Sequence, residues 1–527
     1  MLLLNKMKNQ DIFRIGSFLL SGSTVCQVFP VEKNPVPNVI LIMTDQQRAD
    51  LCAREGYALD VMPFVDSLAC NNAWFNKAYT TAPASVPART SMLTGRFPKA
   101  THVRTNFNLN DAFFLEDMPS VFRKNGYQTA LIGKNHSYQK PVNFDYWSGY
   151  GHWGKEKKDQ AHSKEFAAFL RNEANAFYLE PSPFDYTSQL PYQIISQSIE
   201  WIDQQKDSPF FMWVSIPEPH NPYQVSEPYF SMFAEHHIPE PHASRESIGR
   251  KSEKYAILNE LETISGVNTP IKINRMRANY LGMIRLIDDQ IKRLVNHTCQ
   301  KGLYGNTIII FLSDHGDYFG EYGLMKKGAG TPECLTRIPM VWAGYGIQPE
   351  ESLIQACVSI ADVFPTLCSA IGAEIPLGVQ GRSLWDMLSG KDYPKKEFES
   401  IMVEQGFGGV DFTRQDSLSF EQEGCLDSQK TGKMDELNVW TQSGTQRMLR
   451  KGDWKIIIDN YGRGELYNLK KDPSEVENIY NDLRFVQKRS ELLADLIGWE
   501  LRTQDPLPIP QKRYPFKRNY NNYFFEE

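Results

Sequence analysis

The chain has 527 residues, too many for one ordinary hydrophobic core, so a large domain with a smaller companion is the natural expectation. With 41% apolar and 12% aromatic residues it is globular rather than disordered. A net charge of −6 argues against bulk attraction to nucleic acid or an anionic membrane, yet leaves room for a local basic pocket that holds one anionic group.

The N-terminus places Lys6, Lys8 and Arg14 before a short, weakly apolar run from Ile15 to Val25, followed by a Pro-containing spacer. This resembles a bacterial export signal and predicts a periplasmic or secreted protein; a frayed cytosolic tail is the alternative. Residues 1–34 are assigned to this segment. Cys26 sits in a poor context for lipid attachment, and no later run approaches the roughly 20 apolar residues that span a bilayer. The eight cysteines are scattered without a CxxC pair, which argues against a zinc module or a dense disulfide framework and allows a single bridge.

Four apolar runs of strand length follow, each ending in polar residues: "NVILIMTDQQ" from Asn38, "YQTALIGKNH" from Tyr127, "PFFMWVSIPEPH" from Pro209 and "TIIIFLSDHGD" from Thr307. Apolar runs without alternation fit strands buried on both faces of a parallel sheet. Helical patterns lie between them: "MPSVFRKNG", "PYQIISQSIEWIDQQ" and "RANYLGMIRLIDDQIKRLV". The alternation predicts an α/β fold, a large mixed or mostly parallel sheet sandwiched by helices, over residues 35–395. Segments 150–190 and 234–272 read as polar, irregular pocket walls. From 396 to 527 two or three antiparallel strands, with turns at Gly452-Asp453 and Gly462-Arg463-Gly464, and the helix "VQKRSELLADLIGWELRTQ" predict a smaller α+β subdomain.

Ligands of such sheets gather beyond the carboxyl ends of the strands. Asp45, Gln46, Lys134, His136, His220, Asp314 and His315 all follow strand ends and are expected to converge. Two carboxylates with an amide oxygen suit a hard divalent cation such as Ca2+; Mg2+ fits less well without a nucleotide or several waters. Arg89, Lys134, Lys327, His136 and His220 add donors for an anion. Together they make a pocket for a compact tetrahedral oxyanion and its leaving group. "ASVPARTSMLTGR", Ala84 to Arg96, reads by itself as a helix start, with Ser85 as N-cap and Pro87 near the first turn.

That stretch is similar to the sulfatase signature Cys/Ser-x-Pro-x-Arg with its spaced Thr-Gly-Arg. The other matches fall in family order: "NVILIMTDQQ", "GYQTALIGKNH", "PFFMWVSIPEPHNPY", "SDHGDYFGEYGLMKKG", "DVFPTL", "QGRSL" and "GDWKIIIDN". Over about residues 36 to 480 the chain resembles the type I formylglycine sulfatases, of alkaline phosphatase-like fold. The resemblance implies that Ser85 is oxidised to formylglycine, whose hydrated aldehyde attacks sulfur and then collapses to eject sulfate. It assigns Ca2+ to Asp45, Gln46, Asp314, His315 and the modified Ser85. Arg89 is expected to orient the diol, and Lys134 and Lys327 to neutralise sulfate oxygens. His220 is expected to protonate the leaving oxygen and His136 to assist elimination.

Serine at the nucleophile position implies a Ser-type, radical-dependent maturation enzyme as a transient partner. "GKNHSY" lacks the more usual Trp between Lys and His, and "GLMKKG" leaves Lys326 open beside Lys327. A sulfated saccharide, glycosaminoglycan or mucin-type, is the expected substrate. "THVRTN" (Thr101 to Asn106), His152 and the loop from Gly406 to Trp440 are candidate sugar contacts. The alternatives are a phosphonate or phosphate ester hydrolase of the same superfamily, and an unmodified sulfoglycan-binding protein.

Overall fold

The computed structural model describes residues 36–106, 116–155, 161–172, 178–206, 208–264, 269–349, 355–411, 443–504 and 520–525, with positions 413 and 415. The N-terminal segment 1–34 with Cys26, and residues 416–440 of the candidate sugar loop, lie outside them. No described helix is long and apolar enough to cross a membrane.

The large sheet has the spatial order β2 (Ala73–Trp74), β9 (Met340–Gly344), β8 (Thr307–Ser313), β1 (Asn38–Asp45), β7 (Phe210–Pro219), β4 (Gln128–Lys134), β5 (Tyr146–Gly151) and β6 (Gly154–Lys155). The inner five, from β8 to β5, are parallel, whereas β9, β2 and β6 pair antiparallel at the edges. This is the expected mixed, mostly parallel sheet. Its central strands β8, β1 and β7 are mainly apolar and buried along their whole length because both faces are covered. In β1, Ile40 and Ile42 pack into one core with Ile194, Leu281, Ile284 and Ile287 from the helices Leu190–Gln204 and Pro270–Gln300. Val39, Leu41 and Met43 point the other way, toward Met92, Leu93, Phe364 and Leu367 from the helices Ser85–Thr94 and Val363–Ala370. The alternation of side chains along a strand thus sends successive β1 residues into two separate cores.

A short parallel pair, β3 (Ala78–Tyr79) with β10 (Val358–Ser359), lies apart from this sheet. The smaller subdomain is a four-stranded antiparallel meander, β11 (Ser400–Gly408), β12 (Gly444–Lys451), β13 (Trp454–Asp459) and β14 (Gly464–Asn468), backed by the helix Val486–Thr503. Its core of Ile401, Val403, Leu449, Ile456, Leu492 and Trp499 runs on into Tyr79, Phe97 and Ala361 of the larger layer. The meander therefore has one strand more than the sequence pattern predicts, since "SIMVEQGFG" lies beside a polar Gly-rich stretch that hides its strand character.

The segments expected to be irregular hold elements of their own: the β5–β6 hairpin and the helices Ala161–Asn172 and Glu253–Ile264. Short elements with wide polar faces leave little periodicity to read.

Candidate functional site

Adjacent parallel strands β8, β1, β7 and β4 end together, and their C-terminal residues meet. Asp45 closes β1, where the pairing with β7 shifts register between Thr44 and Asp45. Gln46 then takes a left-handed φ of 66°, turning the chain so that its backbone N–H donates to Asp314 Oδ1 at 3.0 Å beyond β8. Lys134 closes β4 immediately after Gly133, which has φ 121°; a Cβ there would lie 1.9 Å from the Ser215 carbonyl of β7. Only glycine permits that close approach of the two strands.

Ser85 is the first residue of the helix Ser85–Thr94, and the N-cap is Ala84, with extended backbone and no side-chain cap. The N-cap expectation for Ser85 is thus off by one residue. Its hydroxyl faces the strand ends instead of closing on its own helix, and the Asn106 side chain takes over the capping task by accepting from Val86 N–H at 3.1 Å. Gly95, at φ 62°, ends the helix by donating its N–H to the Ser91 carbonyl. Four residues after Ser85, Arg89 lies on the same helix face one turn further on.

Ser85 Oγ is 3.0 Å from His315 Nε2 and donates to Asp45 Oδ1 at 3.4 Å. The His315 Nδ1–H donates to the Gly316 carbonyl at 2.9 Å, which leaves the Nε2 lone pair facing Ser85 Oγ. Asp45, Asp314 and His315, all fully buried, bring three potential ligand atoms within 4.8 Å of one another. The donors are mostly oxygens, two carboxylates and the position-85 side chain, with one imidazole nitrogen. That chemistry fits a hard divalent cation. The Gln46 side chain stands beside them, but its Oε1 accepts from Lys327 Nζ at 2.7 Å while its Nε2 donates to Asp317 Oδ2 at 2.7 Å.

The fully buried Arg89 guanidinium is committed to the two carboxylates. Nε donates to Asp314 Oδ2 at 2.9 Å, Nη2 to Asp45 Oδ2 at 3.1 Å, and Nη1 to Ser215 Oγ and the Lys134 carbonyl. Lys134 Nζ pairs with Asp45 Oδ2 and donates to His152 Nε2 at 2.7 Å. Burial alone would raise the Asp45 pKa, but Lys134, His220, Arg89 and His315 together hold it well below the carboxylate range. Burial pushes Lys134 down to about 8 against the pull of Asp45.

Lys327 Nζ also donates to His220 Nε2 at 3.1 Å, and His220 Nδ1 pairs with the Asn221 carbonyl at 2.9 Å. Burial, together with His152 and Lys327, keeps the His220 pKa well below its ordinary value. Lys326 is buried and its charge acts on the buried Glu262, pulling that carboxyl down against the effect of burial. His136 is one ring further out, 6.4 Å from the His152 centroid, with its Nδ1 buried and without a partner among the described residues.

His152 is the residue that the sequence undervalued. It stacks on His220 at 4.1 Å besides accepting from Lys134, so it belongs to the site proper. It arrives on the β5–β6 hairpin, which carries no motif. Asp317 and Tyr223, joined at 2.7 Å, hold Gln46 from behind and lie within stretches the sequence does mark.

Residues 37–373 match the family described as Sulfatase. An arylsulfatase of Clostridium perfringens is 25% identical over 496 residues, covering 88% of this chain and 95% of that protein. An N-acetylglucosamine-6-O-sulfatase of Bacteroides thetaiotaomicron is 22% identical over 548 residues, covering 92% and 90%. Among solved structures, a phosphonate monoester hydrolase of Agrobacterium radiobacter has the same fold, with a TM-score of 0.71 at 22% identity over 89% of this chain and 96% of that one. With well over half of its 527 residues inside the family match, and with acids, a hydroxyl and cations gathered at the strand ends, the chain belongs to the Sulfatase family and is a sulfuric ester hydrolase.

Proposed function

We propose that the protein removes sulfate from saccharides, with Ser85 converted to formylglycine and Ca2+ held by Asp45, Gln46, Asp314, His315 and residue 85. The observation that carries this reading is the Ser85 hydroxyl, buried at 3.0 Å from His315 and 3.4 Å from Asp45 inside a cluster of acids and cations. The saccharide rests on the bacterial N-acetylglucosamine-6-O-sulfatase relative.

A bound Ca2+ supplies Lewis-acid polarisation and positive charge for the sulfate oxygens. Formylglycine supplies a geminal diol, with one hydroxyl to attack sulfur and a second to expel sulfate. The chain's own residues do the rest. Arg89 works through Asp45 and Asp314: its planar donors fix both carboxylates, so it is a positioning residue rather than a direct contact of the diol. Lys134 and Lys327 offer ammonium groups to the sulfate oxygens, each by turning from a protein acceptor already in place. With Nδ1–H held on the Asn221 carbonyl, His220 Nε2, which accepts from Lys327, must first take up a proton to give the imidazolium and then hands that proton to the leaving oxygen. The charge of an arriving sulfate ester favours the imidazolium that burial opposes. His136 assists elimination from the outer side.

Maturation by a Ser-type enzyme and a periplasmic or secreted location complete the reading. It is tested by comparing turnover of an aryl sulfate with that of the matching aryl phosphate and phosphonate, using protein co-produced with a Ser-type maturation enzyme. Faster sulfate hydrolysis supports it; faster phosphate or phosphonate hydrolysis assigns the protein to the other branch of the superfamily.

A further inference from the structure

The Gln46 side chain is uncharged and has two unlike ends. One end of a carboxamide accepts and the other donates twice, so only one of its two orientations offers an oxygen to a cation. Neighbours of fixed character make the choice. Lys327 Nζ, which can only donate, lies 2.7 Å from Gln46 Oε1. On the other side Gln46 Nε2 donates to Asp317 Oδ2 at 2.7 Å. A donor at one end and a carboxylate at the other demand the same orientation.

Asp317 is fully buried, and its partners are donors. Oδ1 accepts from the Phe319 backbone N–H at 2.7 Å, while Oδ2 accepts from Gln46 Nε2 and from the Tyr223 hydroxyl, each at 2.7 Å. Tyr223 is fully buried too, and its carbonyl accepts from Asn279 Nδ2 at 2.9 Å, which fixes the hydroxyl's base. The Gln46 backbone is held separately: its N–H donates to Asp314 Oδ1, and its carbonyl accepts from the Tyr280 hydroxyl. With that backbone locked at φ 66°, rotation of the amide is the freedom that remains, and Asp317 removes it.

An asparagine at position 317 has the same shape but a single oxygen. Aimed at Gln46 and Tyr223, that oxygen leaves the new NH2 facing the Phe319 N–H. Aimed at Phe319, it leaves the NH2 facing Gln46 Nε2. Either way a buried donor meets a donor. In the second case a flip of Gln46 relieves the conflict, and that flip turns Oε1 away from Lys327.

We propose that Asp317 is a positioning residue of the metal site. By holding Gln46 Nε2, and with Tyr223 as its own support, it keeps Gln46 Oε1 available to the cation and to Lys327. This rests on the Ca2+ site proposed above, with Gln46 as a ligand, and gives a role to a residue outside that ligand set.

The test is equilibrium dialysis of Ca2+ against full-length protein co-produced with the maturation enzyme and stripped of metal by chelator. Wild type, Asp317→Asn, Gln46→Ala and the double variant are compared. Asp317→Asn is expected to weaken Ca2+ binding about 10- to 100-fold when Gln46 is present, and less than about twofold when position 46 is already alanine. The comparison separates positioning from charge, because loss of a nearby negative charge weakens Ca2+ equally in both backgrounds. Tyr223→Phe keeps the carboxylate and removes one of its donors. Its expected loss is about two- to tenfold, again only with Gln46 present, and it carries the same comparison if Asp317→Asn does not fold. Equal losses in both backgrounds, or no loss in either, overturn the inference and leave the Ca2+ site standing. Wild-type affinity in Gln46→Ala removes Gln46 from the ligands and the role of Asp317 with it. Failure of the wild type to bind Ca2+ overturns the Ca2+ site and the inference together.

Discussion

Replacing Arg89 with methionine keeps the unbranched apolar stem of the side chain and removes the guanidinium with its charge. In the folded protein this guanidinium is fully buried and lies 2.9 Å from Asp314 and 3.1 Å from Asp45. At an effective dielectric of about 20, each contact is worth roughly 5 kcal/mol of Coulomb energy, most of it offset by the cost of burying the ions. Removing one partner leaves that cost unopposed. Two buried carboxylates then lose one of the cations that hold them, and the expected loss of stability is about 3–5 kcal/mol. Set against a total of roughly 5–15 kcal/mol, this is a large fraction. The assay is equilibrium urea unfolding, first in chelator and then with increasing Ca2+. A cation that binds only the folded state stabilises by about 2.7 kcal/mol at a hundred times its Kd. Without the Arg89 charge next to the ligands, the site is more negative, so Ca2+ is expected to stabilise Arg89→Met more than wild type. Two results would refute the reasoning: a variant within about 1 kcal/mol of wild type in chelator, or a smaller Ca2+ effect in the variant.

His220→Ala is expected to lower kcat on sugar sulfates by about 10² to 10⁴-fold, the usual contribution of a general acid, and much less on 4-nitrophenyl sulfate, whose leaving group needs no proton. Equal losses on both esters would remove His220 from the acid role. Ser85→Ala abolishes sulfate release but costs only about 1 kcal/mol in stability, for one hydroxyl hydrogen bond; residual turnover well above background would displace Ser85 as nucleophile. Glu218, at the end of β7, is buried and its pKa is raised by that burial from the ordinary 4.5 to about 8, with one carboxyl oxygen lacking a partner among the described residues. The folded state therefore binds a proton that the unfolded chain has lost. The associated stability is complete below pH 4.5 and disappears as pH rises through about 8. Glu218→Gln is expected to remove this contribution, on the order of 2–5 kcal/mol, from the pH dependence of urea unfolding between pH 5 and 8.5. An unchanged slope would show that Glu218 is ionised in the folded protein.

The parts of the fold set by continuous apolar runs were readable without coordinates. "NVILIMTD" and "TIIIFLS" are strands because both faces are covered, and their trailing Asp45 and Asp314 meet because parallel neighbours end on the same side. The helix behind Ser85 was readable from Pro87 and Gly95, but its register was not. An N-cap and a first-turn residue look alike in sequence, and the backbone of Ala84 decides between them. The commitment of Arg89 to two carboxylates, rather than to residue 85, depends on distances that no spacing encodes. His152 was visible only as a possible sugar contact, because a histidine on a short hairpin carries no periodic or motif signal. Its partners, Lys134 and His220, are brought to it by β4 and β7.

The identity of residue 85 in the working enzyme is the claim on which the rest depends. Mass spectrometry of the tryptic peptide Ala78–Arg89, from protein isolated from its native host, addresses it directly. A peptide lighter than the encoded one by two hydrogens, together with its hydrate and with reactivity toward a hydrazine, is the predicted result. A peptide of the encoded mass carrying an intact serine, from protein that nonetheless hydrolyses sulfate esters, would contradict the account.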